Sequence, residues 1–169
     1  APFNLTSNLV FEVEAGATLL AATDTSLWPV VSTLPSYPNG VENDPGMSGR
    51  YTAFIGGSHL TNVTISGGGT IDGQGLVWWQ RSGRLPGHNK TLLHTRGRLI
   101  EPMYSSDIVI RDVTLEDSPF WAVHMYCCDQ VTIEGVTIAA PVWSRNTDCI
   151  DPDSSSNVLV RNCTLSGGD

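Results

Sequence analysis

Short runs of alternating apolar and polar residues, rather than helical spacing, dominate the second half of the chain. Residues 106–115, 129–138 and 156–165 read SDIVIRDVTL, DQVTIEGVTI and SNVLVRNCTL. Each segment has two alternating apolar residues, then a polar or glycine pair, then two more apolar residues. β-Branched residues at every second position are typical of β-strands. Each segment therefore predicts two short strands separated by a corner.

The three segments also recur at a regular interval. Val131 lies 23 residues after Ile108, and Val158 lies 27 residues after Val131. Repeats of this length indicate stacked supersecondary units, and the Leu/Asn pattern of leucine-rich repeats is absent. The repeat favours a right-handed parallel β-helix, in which equivalent apolar residues of successive coils form inward-facing ladders. The ladders that we expect are Val63, Ile108, Val131 and Val158, and Ile110, Ile133 and Val160.

A β-sandwich is the alternative fold, because its strands also come at regular intervals. A sandwich does not require the same phrase to recur in register, so the β-helix is favoured. Residues 61–71, TNVTISGGGTI, are a looser copy of the phrase with one extra residue among its glycines.

The N-terminal third is less regular. Residues 8–22 predict two strands around the turn Ala15-Gly16, and residues 24–50 and 76–98, rich in turn residues, predict surface excursions. We expect residues 1–169 to form a single, partial β-helix domain.

Composition narrows the possible partners. The 169 residues have a net charge of −8, and Lys90 is the single lysine among nine basic residues. An acidic chain argues against binding to nucleic acid or to an anionic membrane. No apolar run approaches the roughly 18 residues of a membrane-spanning helix.

Four N-glycosylation sequons favour a secreted, extracellular or cell-wall protein. They begin at Asn4, Asn62, Asn89 and Asn162. In that compartment the four cysteines, Cys127, Cys128, Cys149 and Cys163, are candidates for disulfides with three possible pairings. Their spacing fits no zinc site.

Residues 145–154, RNTDCIDPDS, concentrate carboxylate and amide side chains. One interpretation is a polar corner, since Asn, Asp, Pro and Ser cap the backbone of turns. A second is a calcium site, although the glycine and distal glutamate of an EF-hand are missing. A third is an acid/base pair, because Asp169 lies 21 residues after Asp148, close to one coil.

The acid/base interpretation has a geometric basis. Strands of neighbouring coils lie roughly 4.8 Å apart, and two carboxyl groups of an inverting glycosidase lie roughly 6.5–9.5 Å apart. We therefore expect Asp148 and Asp169 to face one groove, with their carboxyl groups within about 10 Å.

Three segments resemble the polygalacturonase-like glycoside hydrolases, family 28, and most closely the plant-type pectinase branch. Residues 146–169, NTDCIDPDSSSNVLVRNCTLSGGD, are similar to the family's NTDGIDP…GDD region. Residues 67–79, GGGTIDGQGLVWW, are similar to its G-IDG-G--WW motif, and residues 99–133 to its central coils with the SPFW--H phrase. The resemblance implies a right-handed parallel β-helix that hydrolyses galacturonic-acid-containing polysaccharide with inversion, without a metal or another cofactor.

The resemblance also implies roles for individual residues. Asp148 matches the first catalytic aspartate, on the base side, and Asp169 matches the general acid. Asn146 matches the asparagine of the same motif and is expected to bind substrate. His124 resembles a cleft-facing, substrate-binding position, with a packed wall residue as the alternative.

Two tryptophans of the second excursion belong to the family-like motif. Trp78 and Trp79 could stack on sugar or be structural, and the early place of the motif in the coil series favours a structural role.

Departures from the family pattern shape the expected function. Cys149 stands where the family has glycine, and the family's second aspartate, Gly-His-Gly motif and Arg-Ile-Lys substrate site would follow Asp169. The resemblance thus implies an internal piece of a longer β-helix, whose partners are polysaccharide and the remaining coils or neighbouring chains. We expect the parent to be a glycosidase and this chain alone to be inactive. A non-catalytic structural β-helix of the cell wall or extracellular matrix is the alternative, and a calcium-dependent lyase is a weaker one.

Overall fold

The computed structural model describes residues 1–38, 49–83 and 85–168, which form five stacked coils of a right-handed parallel β-helix. Each coil contributes one strand to each of three parallel, five-stranded sheets. This architecture confirms the fold expected from the repeated phrase.

The three sheets are defined by their strands. The first sheet contains β1 (Phe3–Asn4), β6 (Ile55–Ser58), β9 (Ile100–Met103), β12 (Val123–Tyr126) and β15 (Ile150–Asp153). The second contains β2 (Leu9–Glu12), β7 (Thr61–Ser66), β10 (Ser106–Arg111), β13 (Asp129–Glu134) and β16 (Ser156–Arg161). The third contains β3 (Thr18–Leu20), β8 (Thr70–Asp72), β11 (Thr114–Glu116), β14 (Thr137–Ala139) and β17 (Thr164–Ser166).

The remaining elements are short. Strands β4 (Val30–Val31) and β5 (Arg50–Tyr51) form an antiparallel pair, a 3₁₀ turn covers Thr25–Leu27, and helix α1 covers Leu76–Arg81. Among the described residues, no helix is both long and apolar enough to cross a lipid bilayer.

The predicted ladders lie in the second sheet. Val63, Ile108, Val131 and Val158 pair in register across four strands. The first three are buried, and Val158 is partly buried. In the second ladder Ile110 and Ile133 are buried, whereas Val160 is 41% exposed because β16 is the edge strand of this sheet in the described chain. The register is confirmed, and apolar contact between coils is its physical cause.

The polar residues of each phrase mark the corners. From the first to the second sheet each corner has a residue with positive φ just before the next strand begins, in the series His59, Tyr104, Cys127 and Ser154. A second positive-φ residue follows inside each second-sheet strand, in the series Asn62, Asp107, Gln130 and Asn157. Left-handed backbone is tolerated best by Gly, Asn and Asp. Asp112, Gly135 and Asn162 have positive φ between the second and third sheets, so the Asp, Gly and Asn positions of the phrase allow the chain to turn there.

The three glycines of the looser copy, residues 67–69, lie between β7 and β8. The N–H of Gly69 donates to the carbonyl of Val13 at 2.8 Å. A Cβ atom on Gly67 would lie 2.4 Å from the same carbonyl oxygen. The glycines are therefore required by the close approach of the preceding coil.

The excursions contribute to the core. Trp28 from the first and Trp78 from the second are both buried, and their rings meet edge to face with centroids 4.8 Å apart. Trp79 is also buried, and its indole N–H donates to the carbonyl of Ser118 at 3.1 Å. The structural role of these tryptophans is confirmed. Residues 39–48 and Arg84 of the excursions lie outside the described residues.

Truncation of a ladder residue should destabilise the fold. Ile133→Ala should lower the free energy of unfolding by roughly 2–5 kcal/mol, because it removes buried methyl and methylene groups and leaves a cavity. Urea denaturation of the full-length parent measures the loss. Val10→Ala is the matched control, since Val10 is 67% exposed on the same sheet, and it should change stability by no more than about 0.5 kcal/mol. Equal effects of the two substitutions would contradict the inward ladder.

Candidate active site

Strand β15 presents two carboxylates on one face of the first sheet. Asp151 and Asp153 are two residues apart, so the alternation of a strand places them on the same face. In the parallel register Asp151 lies beside His124 of β12, and Asp153 lies beside Tyr126. The polar face of β15 thus continues a polar column from the preceding coil.

Asp148 is fixed just before this strand by the backbone. Its carbonyl oxygen accepts a hydrogen bond from the N–H of Ala122 at 2.8 Å, and the carbonyl of Cys149 accepts one from Val123 at 3.1 Å. Burial, and then the charges of Asp148 and Asp151, raise the pKa of the Cys149 thiol. The three side chains therefore share one environment.

A compact turn connects Asp148 to the next coil. The Thr147 hydroxyl donates to the carbonyl of Ser144 at 2.7 Å. The N–H of Thr147 donates to the carbonyl of Gly168 at 2.8 Å, and the N–H of Gly168 donates to the Thr147 hydroxyl at 2.9 Å. Residue 147 is thus bonded to residue 168 in both directions, immediately before Asp148 and Asp169 in the chain.

Gly168 is required for this approach. A Cβ atom at Gly168 would lie 2.4 Å from the carbonyl oxygen of Ser144. The glycine pair before Asp169 therefore packs against the turn at Ser144–Thr147, rather than serving only as a flexible connection.

A buried ion network lies beneath the carboxylates. Glu101 of β9 pairs with Arg50 of β5 and lies 3.5 Å from Nε of Arg98. It also accepts from Nδ1 of His124 at 2.8 Å. All four side chains are buried. The network joins two strands of the first sheet to the first excursion.

Two carboxylates of one polar column have opposite pKa shifts. Burial by itself raises the pKa of Glu101, but the hydrogen bond from His124 and the charges of Arg98 and Arg50 outweigh it and lower the pKa to about 2. Burial, and then the charge of Asp148, raise the pKa of Asp151 to about 7, against the opposing effect of Arg98. Glu101 is therefore ionised at neutral pH, whereas Asp151 is close to half protonated.

Two aromatic rings contact the guanidinium of Arg98. Its guanidinium lies 5.3 Å from the ring centroid of Phe120 and 5.0 Å from that of Trp121, distances typical of cation–π contacts. Within the described part of the chain, its Nε and Nη1 atoms have no hydrogen-bond acceptor. Burial lowers the pKa of Arg98 to about 10, so the group remains a cation at neutral pH.

The predicted site residues differ from one another in their exposure. Asp148 and Asn146 are half-buried at the end of the turn, and Asn146 has a positive φ of 57°. His124 is fully buried, with 0% of its surface exposed, so it is a packed residue rather than a groove-facing one. Asp169 lies outside the described residues, and the expected distance between Asp148 and Asp169 stays a prediction.

Glu101 and Asp151 of the cluster were not singled out as site residues from the sequence, whereas His124 was. Glu101, His124 and Asp151 each lie seven residues before a member of the apolar ladder Ile108, Val131 and Val158. Counting seven residues back from each ladder position would therefore have identified this polar column. Arg50 and Tyr37 come from the first excursion, where the sequence has no repeat that could have revealed them.

Other sequence expectations have mixed outcomes. All four cysteines are described and have free thiols, so the expected disulfides are not formed. The sequon asparagines Asn4, Asn62, Asn89 and Asn162 are exposed. In the described ranges, no group of three or more His, Cys, Asp and Glu side chains is arranged to hold a metal ion.

Comparison with known proteins gives a consistent match. The family described as glycosyl hydrolases family 28 matches residues 40–169. A probable polygalacturonase of Vitis vinifera is 47% identical over 168 residues, which cover 99% of this chain and 33% of the relative. An endo-polygalacturonase of Pectobacterium carotovorum is 33% identical over 99% of this chain and 42% of its own length. The chain thus spans less than half the length of these curated relatives.

Solved structures agree with the fold. The polygalacturonase from Erwinia carotovora superposes with a TM-score of 0.79 and 30% identity over 99% of this chain and 45% of that one. An exopolygalacturonase from Thermotoga maritima has a TM-score of 0.80 over 99% of this chain and 42% of that one, and at 22% identity it supports the fold alone.

Replacement of Asp151 by asparagine should remove a pH-dependent loss of stability. The folded-state pKa of Asp151, about 7, lies above the ordinary value of 3.8, so the unfolded chain ionises first. The group therefore lowers the free energy of unfolding as the pH rises from about 4 to about 7, and it has no effect below about pH 4. Relative to wild type, D151N should be more stable at about pH 8 than at about pH 4, as measured by urea denaturation.

Asp107→Asn is the matched control for this measurement, because Asp107 is exposed on the second sheet. D151N should show the larger change in stability difference between the two pH values. A difference between D151N and wild type that does not change with pH would show that Asp151 ionises normally.

Proposed function

Because the chain belongs to glycosyl hydrolases family 28, we propose that its parent protein hydrolyses glycosidic bonds in pectic, galacturonic-acid-containing polysaccharide. The names of its relatives from Vitis vinifera and Pectobacterium support this substrate class. The reaction is an inverting hydrolysis by two carboxyl groups. It requires no metal and no organic cofactor.

The observation that carries the proposal is the two-way hydrogen bonding between Thr147 and Gly168. Asp148 follows one of these residues and Asp169 follows the other. Since adjacent strands are roughly 4.8 Å apart, this pairing supports two carboxyl groups on neighbouring coils, within the roughly 6.5–9.5 Å that leaves room for a water molecule. In the proposed mechanism Asp148 acts on the base side, and Asp169 is the general acid that protonates the leaving oxygen.

Asp148 lies close enough to Asp151 for their charges to interact. The charge of Asp148 contributes to the raised pKa of Asp151. When two carboxylates lie close together, one of them retains a proton more readily while the other stays ionised. Asp151 is the group whose pKa is raised, and in the proposed mechanism Asp148 is the carboxylate that activates water.

Cys149 does not prevent this arrangement. Its side chain is partly buried and packs against the core of the β-helix. A Cβ atom on Gly167 would lie 3.2 Å from the Cys149 sulfur, so the thiol occupies space that a glycine at residue 167 leaves open. The departure from the family glycine is therefore accommodated beside Asp148.

Asp148→Asn in the full-length parent should leave the fold intact and lower kcat on polygalacturonan by at least about 10²-fold, because the amide cannot accept a proton from water. Release of reducing ends measures the rate, and circular dichroism checks the fold. Asp107→Asn is the matched control and should retain wild-type activity. Wild-type turnover in the Asp148 variant would remove Asp148 from the mechanism.

The same assay tests the proposal as a whole. The 169-residue chain alone should be inactive, because the carboxyl pair by itself lacks the substrate-binding groups expected elsewhere in the parent. An inactive wild-type parent on polygalacturonan, xylogalacturonan and rhamnogalacturonan would instead support a non-catalytic β-helix of the cell wall.

We also propose that the parent is secreted to the extracellular space or cell wall and carries glycan. All four sequon asparagines are accessible, and the Asn62 amide donates to the Asn8 side chain at 3.0 Å on the outer surface.

Intact-mass analysis of the protein from its native source should show glycan at Asn62 or Asn89. The mass should fall after digestion with a peptide N-glycosidase. An unmodified chain from the native source would contradict secretion through a glycosylating pathway.

A further inference from the structure

The buried His124 lies between two carboxylates of different coils. Its Nδ1 atom is 2.8 Å from Glu101 Oε1 of the preceding coil, and its Nε2 atom is 3.5 Å from Asp153 Oδ2 of the following coil. The imidazole packs edge to face against Trp121, with ring centroids 4.9 Å apart. The ring is therefore held in one orientation and connects β9 with β15.

The hydrogen-bonding roles of the two carboxylates determine the protons on this ring. Glu101 is ionised by its contacts with Arg50 and Arg98, so it can only accept, and Nδ1 must carry a proton. Asp153 accepts from the Ser154 hydroxyl at 2.8 Å and from the Tyr37 hydroxyl. Because Asp153 is also an acceptor, a hydrogen bond across the 3.5 Å to Nε2 requires a proton on that nitrogen.

We propose that His124 is a positioning residue of the active site: Glu101 orients its ring through Nδ1, and Nε2 holds Asp153 and so fixes the strand that follows the reacting carboxylate. This inference rests on the proposed hydrolysis. His124 is buried and acts through Asp153 rather than on the sugar.

The structure shows why the strand needs this restraint. The outward face of β15 carries Asp151 and Asp153, whose negative charges repel each other. Asp148 lies three residues before Asp151, so a shift of β15 would move it relative to the substrate.

Two conservative substitutions separate positioning from packing. In His124→Asn the amide nitrogen occupies the place of Nδ1, so it keeps the bond to Glu101 and loses the one to Asp153. In His124→Gln the amide nitrogen occupies the place of Nε2, so it keeps the bond to Asp153 and loses the one to Glu101. A purely structural His124, needed to satisfy the buried Glu101, would tolerate Asn better than Gln.

The test compares both variants in the full-length parent on polygalacturonan. Positioning predicts that H124N lowers kcat on the order of 10-fold or more, because small displacements of reacting groups are costly, with KM nearly unchanged. H124Q should restore most of this loss. His88→Gln, on the exposed second excursion, is the matched control and should retain wild-type kinetics. Equal activity of the two His124 variants, or a greater loss in H124Q, overturns the inference.

A spectroscopic measurement tests the bridge without relying on activity. With ¹⁵N-labelled histidine, the His124 ring at neutral pH should show protons on both nitrogens, and its signals are assigned by their loss in H124N. Glu101→Gln should shift the Nδ1 signal more than the Nε2 signal. A ring protonated on one nitrogen overturns the inference even if the parent is active. An inactive wild-type parent refutes the proposed hydrolysis, and the spectrum still decides whether the bridge exists.

Discussion

The register between neighbouring coils is the constraint on which the rest of this structure depends. Apolar residues such as Ile108 and Val131 stack in line because strands of successive coils pair residue by residue. Side chains alternate between the two faces of a strand, so a slip of one residue would turn every ladder outwards. The same slip would separate Glu101, His124 and Asp151, which occupy one column of the first sheet. The apolar packing that stabilises the fold therefore also aligns the polar groups of the site.

The outer face of the first sheet is buried at β12, as its inner face is. All four residues of β12 are buried, because the first excursion covers this face, with the Ser36 side chain 3.0 Å from the Tyr126 hydroxyl. Charged groups in such an environment lose their hydration, which is costly unless each charge has a partner. Glu101 satisfies this condition through Arg50 and Arg98, and Arg98 gains further stabilisation from aromatic rings. The covering segment and the ion network thus depend on each other.

The carboxylates of one column behave differently because their neighbours differ. Glu101 and Asp151 occupy equivalent positions two coils apart, yet the pKa of Glu101 is lowered to about 2 and that of Asp151 is raised to about 7. Glu101 has two guanidinium groups and an imidazole N–H around it. Asp151 faces Asp148 and Asp153, and Oδ2 of Asp151 has no hydrogen-bond partner in the described chain. The fold therefore provides one permanently ionised anchor and one group that can exchange a proton near neutral pH.

The local periodicity of the sequence determined the fold, because alternation and the interval between phrases are properties of the chain itself. Counting residues predicted the coil length and the inward ladders. It also placed Asp148 one coil from Asp169 in the sequence. The burial of His124 did not follow, nor did its contacts with Glu101 and Asp153. These depend on the first excursion, which brings Arg50 and Tyr37 onto the first sheet. Arg50 lies 51 residues before Glu101 in the sequence, and Tyr37 lies 87 residues before His124. An aperiodic segment has no register with the coils, so only its packing in three dimensions decides which side chains it covers and which charges it brings together.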